Sequence, residues 1–429
     1  MDISIFLYIA CFLLVALLST RLMKIIKLPN VTGFILTGIL MGPFVFGLLF
    51  NNFTYENIDE STIYKFVSSL SWVSQVALGF IAFSIGTSFK KQTIQSVGKR
   101  VVVITILEAL GASILVIGAL FALYAIFPDK IKIEVVLTLS AIAAATAPAA
   151  TLMVIKQYRA EGPLVNTLLP VVALDDAAAL ILFAIFFQMA TSLAGGGEFN
   201  FYAMLIKPLI EIVISIAIGA VLGLVIVFMN KFFKSRNNRL VIVIFAIFAS
   251  LGLYFLFKNP WLGGFELSSL LMCMMAGAIY ANLREDSYRT FDVLDRFTSP
   301  IFMFFFVLSG ASLDLRVFFN EQGLLVLGIA AVYIVFRVLG KWGGSYTGAS
   351  ITHCEPQVKK YLGFALFPQA GVAIGLATNA SKLFGENPVT QESGALIMAI
   401  ILTSTLIYEL IGPLTAKFAL SKAGEIKEE

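Results

Sequence analysis

Residues 166–182 read Asn-Thr-Leu-Leu-Pro-Val-Val-Ala-Leu-Asp-Asp-Ala-Ala-Ala-Leu-Ile-Leu, an apolar stretch with two consecutive carboxylates, Asp175 and Asp176, at its centre. It lies inside an apolar run over 164–190, long enough to cross about 30 Å of hydrocarbon as a helix. A charged side chain at that depth costs roughly 2.5–3.5 kcal/mol, so two unpaired ones would cost on the order of 5–7 kcal/mol, more than half the stability of a typical domain. The pair needs partners, a function, or both. Neighbouring residues diverge by about 100° on a helix, so one Asp can face a partner helix while the other faces a cavity.

Similar runs recur along nearly the whole chain. Thirteen spans are expected, over 3–22, 31–50, 66–87, 101–127, 133–155, 164–190, 204–230, 239–257, 266–282, 299–313, 323–351, 360–382 and 394–419, which makes the fold class an all-α integral membrane protein. Composition agrees: 59% of the 429 residues are hydrophobic, 13% are charged and the mean hydropathy is +0.93. A soluble domain carries about 25% charged residues, so this chain has roughly half the charge needed to cover a water-facing surface. The first run is expected to remain as a span, because Met1-Asp2 supplies no basic segment before it and no small-residue cleavage site follows.

Other classes are disfavoured. Thirty basic against twenty-six acidic residues give a net charge of +4, and the basic residues are scattered, so no nucleic-acid partner is indicated. Cys11, Cys273 and Cys354 lie far apart, and the single histidine, His353, has one thiol neighbour and no second ligand at metal-site spacing. Neither a disulfide framework nor a zinc centre is expected, and no cofactor. The longest loop, around 51–65, is too short for a soluble domain.

Lys and Arg alternate between loops as an odd span count requires. After odd spans fall Arg21, Lys24, Lys27, Lys90, Lys91, Lys99, Arg100, Lys156, Arg159, Lys231, Lys234, Arg236, Arg239, Arg284, Arg289, Arg296, Lys359, Lys360, Lys417, Lys422 and Lys427. The other side holds Lys65, Lys130, Lys132, Lys207, Lys258, Arg316 and Lys382. The excess places the N-terminus outside and the C-terminus in the cytoplasm, in the cell membrane.

Two bases remain, Arg337 and Lys341, one helical turn apart deep in the run 323–351 and available to the Asp pair. Glu409, near the middle of the last span, can pair with Arg337, and Glu108 lies in the inner third of the fourth, where a wet crevice would satisfy it. Four acids against two bases leave two positive charges to be supplied by protons or by a bound cation. Two further stretches, Ser140-Ala-Ile-Ala-Ala-Ala-Thr-Ala-Pro-Ala-Ala-Thr151 and Phe364-Ala-Leu-Phe-Pro-Gln-Ala-Gly-Val-Ala-Ile-Gly375, place proline and small residues at mid-membrane depth. Freed backbone groups are tolerated there only against protein or a water-filled cavity. The stretches occupy the fifth span of the first six and the fifth of the last six, with span seven as linker. That is the pattern of two inverted-topology repeats with interrupted helices, as in secondary transporters.

These residues resemble the cation/proton antiporter superfamily, the sodium/proton exchangers, along the whole chain. Leu28-Pro-Asn-Val-Thr-Gly-Phe-Ile-Leu-Thr-Gly-Ile-Leu-Met-Gly-Pro43 is similar to that family's second-helix signature, and the Asp-Asp pair and the two proline breaks resemble its core motifs. The resemblance implies a homodimer with a scaffold and dimer part over 1–100 and 236–320, and a core over 101–190 and 321–429 in which the broken helices cross. Residues 191–235 form the linker helix. It implies that Asp176 binds cation and proton in turn, helped by the Thr146 hydroxyl, and that Asp175 pairs with Lys341, or with Arg337 as in some branches. Ala147, Pro148, Pro368 and Gln369 would form the breaks; Ala147 departs from members that carry Asp there. The implied activity is exchange of a monovalent cation, Na⁺ before K⁺ or Li⁺, for protons across the lipid bilayer by alternating access. A cation channel or a solute symporter on the same repeat is the alternative. An intramembrane aspartyl protease is disfavoured, because its two Asp come from different helices.

Overall fold

The computed structural model describes residues 3–42, 67, 69–87, 89, 91–128, 130–194, 206–259, 265, 267–312, 323–385 and 390–426. Lys65, Lys90, Arg316 and Lys427, the loop around 51–65 and the far ends of the runs 31–50 and 299–313 lie outside them. Among the described residues the chain forms fifteen α-helices and one short 3₁₀ turn, with no strand. In order they are α1 (Ile3–Ile25), α2 (Asn30–Met41), α3 (Ser71–Thr87), α4 (Lys91–Ile126), α5 (Ile133–Ile142), α6 (Pro148–Tyr158), α7 (Pro163–Leu193) and α8 (Lys207–Phe232). Then follow α9 (Arg236–Phe257), α10 (Ser269–Leu283), α11 (Tyr288–Ala311), α12 (Gly323–Ile351), α13 (Pro356–Ala365), α14 (Gly371–Gly385) and α15 (Gln391–Lys422). Six of them, α4, α7, α8, α9, α12 and α15, are long and apolar enough to cross a membrane.

The runs 133–155 and 360–382 are each split in two, as α5 with α6 and α13 with α14. At the first break Ala147 is extended (φ −97°, ψ 110°) and Pro148 occupies the first helical position, where its missing N–H costs nothing. Proline alone does not break a helix here. Pro170, Pro300 and Pro413 lie inside α7, α11 and α15, which continue past them. The tenth helix-forming run also differs from expectation: α11 starts at Tyr288, eleven residues before the apolar run, because its first turns carry Asp292, Asp295 and Arg296 and hide it from a hydropathy reading.

The chain divides into two compact units, Met1–Ser96 with Ile210–Leu313, and Val97–Leu209 with Asp314–Glu429. In the first, α2 packs on α11 and α3 on α10. These contacts are backbone to backbone: a methyl group on Gly38 would collide with the Val307 carbonyl oxygen, one on Gly310 with that of Ile35, and one on Gly86 with that of Met274. Small residues replace the hydrophobic drive that helices in lipid lack. Large side chains point the other way, and Leu14, Leu17, Leu18, Val213, Phe228, Val241 and Phe245 are exposed on α1, α8 and α9, a surface suited to hydrocarbon.

One residue counted above as an orientation marker does more. Arg239 is buried in the first turn of α9 and holds Asp286 at 2.7 Å, with Arg284 at 3.3 Å from the same carboxylate. Burial by itself would push the Asp286 carboxyl up, but the hydrogen-bonded Arg239 and the charge of Arg284 outweigh it and hold the group below the ordinary carboxylate range.

The second unit uses the same device for another purpose. Methyl groups on Gly340 and Gly344 of α12 would meet the backbone of Gly111, Ala112, Leu107 and Glu108 on α4. This approach carries Glu108 to the side of α12 that bears Lys341. Gly310→Ala in the first unit is expected to cost about 1–3 kcal/mol by overpacking. Gly118→Ala, inside α4 at a position with open space around it, should not lower the unfolding temperature of the detergent-solubilised protein, since alanine is the better helix former.

Candidate functional site

The break between α5 and α6 leaves a run of backbone carbonyls inside the second unit, and three side chains take four of them in sequence. Gln369 Nε2 donates to the Ile142 carbonyl at 2.9 Å, Arg337 Nε to Ala143 at 3.0 Å, Lys341 Nζ to Ala144, and Arg337 Nη2 to Ala145 at 2.7 Å. The remaining donor of the fork, Arg337 Nη1, reaches the Phe367 carbonyl in the other break at 2.8 Å. The two breaks also bond directly, Ala147 N–H to the Pro368 carbonyl at 2.8 Å, and the Thr151 hydroxyl donates to the Ala365 carbonyl at 3.0 Å. Cations at helix C-terminal carbonyls are favoured by the helix dipole as well as by the hydrogen bonds themselves.

Arg337 and Lys341 divide the work. The Arg337 guanidinium, fully buried, spends its fork on carbonyls from both breaks and lies 4.6 Å from the centre of the Tyr408 ring. Its planar, rigid donor set suits that role better than a lysine would. Lys341 turns to the acids: its ammonium is 2.8 Å from Asp175 Oδ2 and 2.6 Å from Glu108 Oε2, and all three side chains are fully buried. Its hydrogen bonds go to Asp175 and the Ala144 carbonyl, and Glu108 is held as an ion pair.

Asp176 is one residue further along α7 and 6% exposed, and its Oδ1 has no hydrogen-bond partner. Asp175 Oδ1, Glu108 Oε1 and the buried Thr146 hydroxyl oxygen are also unpartnered. The unit therefore contains oxygen atoms of the hard type that alkali cations accept. Among the described residues no cluster of three His, Cys, Asp or Glu has metal-site geometry, and Cys11, Cys273 and Cys354 are free thiols.

The sequence-selected residues thus fall into two groups within one unit. Asp175, Lys341 and Glu108 meet directly; Arg337, Gln369, Pro368 and Ala147 meet at the breaks. Glu108 is met by Lys341 rather than by a crevice. Glu409 is buried on α15 beside Tyr408, whose ring packs near Arg337. Two buried acids escaped the sequence reading. Glu134 Oε1 accepts from the Ser393 hydroxyl at 2.7 Å, and Glu425 accepts from the Leu164 and Val165 amides. Tyr333 was also missed; its hydroxyl donates to Gln369 Oε1 at 3.1 Å. A signal was present, since Tyr333, Arg337, Lys341 and Ser345 recur every four residues along α12 and are all buried.

An all-helical membrane protein with two interrupted helices joined at a buried charge cluster is the architecture of secondary transporters. The sequence matches the sodium/hydrogen exchanger transmembrane family over residues 11–420, and the chain belongs to that family. No curated protein matches the sequence. Among solved structures, that of the sodium proton antiporter MjNhaP1 from Methanocaldococcus jannaschii at pH 8 superposes with a TM-score of 0.68 at 17% identity, covering 98% of each chain. A second structure of the same antiporter, from electron microscopy, gives 0.73 at 16% identity and covers 100% of both. At these identities the likeness is one of fold. Family membership supports exchange of cations for protons by a multi-pass membrane protein.

Two outcomes follow for the cluster. Lys341→Gln leaves Asp175 and Glu108 buried without their cation and is expected to cost about 3–5 kcal/mol. Adding Glu108→Gln should recover part of that loss in a thermal-unfolding double-mutant cycle, and strict additivity would refute the shared ion pair. Arg337→Lys keeps the charge but not the three-way fork, so it should lower the unfolding temperature nearly as much as Arg337→Gln.

Proposed function

We propose that this protein exchanges Na⁺ for protons across the cell membrane by alternating access, with Asp176 binding the two in turn. The observation that carries this reading is the contrast between the adjacent carboxylates. Each keeps one unpartnered oxygen, but Asp175 gives its other oxygen to Lys341 at 2.8 Å, whereas Asp176 enters no ion pair among the described residues. One carboxylate that holds either a proton or a cation, never both, is the minimum device for obligatory exchange. The Thr146 hydroxyl, at the end of the α5 break, supplies a second oxygen.

In this reading the thirteen expected spans form two inverted repeats, with α5–α6 crossing α13–α14. Residues 101–190 and 321–429 act as the moving core, 1–100 and 236–320 as scaffold and homodimer surface, and 191–235 as linker. The division of the chain into two units, each assembled from two separated stretches, supports that assignment. The excess of Lys and Arg after odd spans supports an external N-terminus and a cytoplasmic C-terminus. Hard oxygen donors support an alkali cation as the exchanged partner.

Asp176→Asn is expected to abolish Na⁺-dependent proton movement in everted vesicles and proteoliposomes while insertion and oligomeric state stay normal. Wild-type exchange by this variant would overturn the site. Cation leak without proton counterflow in the wild type would indicate a channel instead, and counterflow with K⁺ or Li⁺ exceeding that with Na⁺ would reassign the ion.

A further inference from the structure

α7, which carries Asp175 and Asp176, begins without a cap of its own. Gly162 precedes it and Pro163 fills the first position, so Leu164 and Val165 present the first unbonded amides. Both are taken by one carboxylate from far along the chain: Glu425 Oε1 accepts from Leu164 N–H at 2.5 Å and Oε2 from Val165 N–H at 2.9 Å. The backbone closes the contact from the other side, with Glu161 N–H donating to the Glu425 carbonyl at 3.2 Å. A methyl group on Gly162 would collide with the same carboxyl group, so the glycine is what admits it.

Glu425 is aimed there by the way α15 ends. Gly424 adopts a left-handed conformation (φ +74°), Glu425 N–H returns to the Leu420 carbonyl at 3.0 Å and Gly424 N–H to Ser421 at 3.0 Å. This reversal turns the chain off the helix toward α7. The carboxylate is 6% exposed and lies on the positive end of the α7 dipole. At its other end α15 is bonded too, through Ser393 to Glu134 in the first turn of α5. α5 packs along α7. The three helices that hold the first break, the Asp pair and Tyr408 are therefore tied in a closed triangle with a polar bond at each end of α15.

We propose that Glu425 is a positioning residue for ion exchange: by clasping the start of α7 to the end of α15 it fixes the axial setting of α7 and with it the orientation of Asp176, about 18 Å along the helix. The clasp makes α5, α7 and α15 move as one body, so the ligand set is carried through the transport cycle without rearranging. This rests on Asp176 being the exchanging carboxylate. Glu425 touches neither ion nor ligand, and its effect is read in apparent affinity.

The experiment compares wild type, Glu425→Gln, Glu425→Asp and Ser393→Ala in proteoliposomes, using Na⁺-driven proton counterflow over a pH series, with amide hydrogen exchange along α7. Glu425→Gln keeps the volume but loses the charge and one acceptor. It is expected to raise the apparent KM for Na⁺ about three- to tenfold with a smaller change in kcat, to displace the pH profile, and to speed amide exchange along α7 from Leu164 as far as Asp176. Glu425→Asp should fall between it and wild type, and Ser393→Ala should shift KM in the same direction. A lowered unfolding temperature with wild-type KM and pH profile would overturn the proposal and leave Glu425 a structural cap. If wild type shows no counterflow with Na⁺, K⁺ or Li⁺, the Asp176 reading fails. Hydrogen exchange from Leu164 to Asp176 then decides the clasp: acceleration in Glu425→Gln upholds the coupling along α7, and acceleration confined to Leu164 and Val165 refutes it.

Discussion

Inside hydrocarbon a backbone carbonyl without a partner costs several kcal/mol, and a helix that stops at mid-depth creates several at once. The carbonyls of Ala143, Ala144 and Ala145 are in that position and are paired by Arg337 and Lys341, while Gln369 adds a second donor to the Ile142 carbonyl, which also accepts from Ala145 N–H at 3.1 Å. This requirement explains features that otherwise look unrelated. Arg337 is fully buried and spends its fork on carbonyls of both breaks. Gln369 stands beside Pro368 because the second break must reach back to the first. Tyr333 orients the Gln369 amide from the same face of α12 that carries both bases. Pro170, Pro300 and Pro413, by contrast, lie inside helices that continue past them.

The same cluster settles where negative charge can sit. Lys341 joins one carbonyl to two carboxylates, so its charge is shared rather than matched one to one. Glu108 reaches it only because glycines on α12 let α4 approach to backbone contact. Paired buried charges of this kind contribute little net stability, but removing one member leaves the others exposed to the full desolvation cost. The arrangement is therefore intolerant of single changes, which suits a site whose charge must be held for use.

Much of this was legible in the sequence, for reasons of solvent. In a membrane the default residue is apolar, so each polar interior residue stands out, and Asp175, Asp176, Glu108, Glu409, Arg337 and Lys341 were all found from depth alone. The two breaks were visible as proline among small residues. Which cation meets which acid was not, because a one-turn offset between Arg337 and Lys341 is resolved by the register of α12 against α5 and α7, a tertiary quantity. Glu425 and Glu134 were invisible for a different reason: both lie near helix ends, where a charged residue reads as a solvated loop. Arg239 failed in the same way. The start of α11 was lost because its first turns are amphipathic rather than uniformly apolar.

In the proposed exchange the arrangement separates three duties that one pair of carboxylates would otherwise share. Arg337 keeps the backbone of both breaks satisfied, and Lys341 holds Asp175 and Glu108. Asp176 is left as the member whose partner can change without disturbing a helix end. A cation arriving at Asp176 then displaces a proton, and neither the carbonyl cluster nor the Lys341 pairs need open. Had Asp176 also served as a hydrogen-bond partner for a break, each exchange event would unpair buried backbone at a cost comparable to the binding energy it was meant to use. In that proposal, separating the structural cations from the exchangeable carboxylate lets the site turn over without unpairing the backbone of either break.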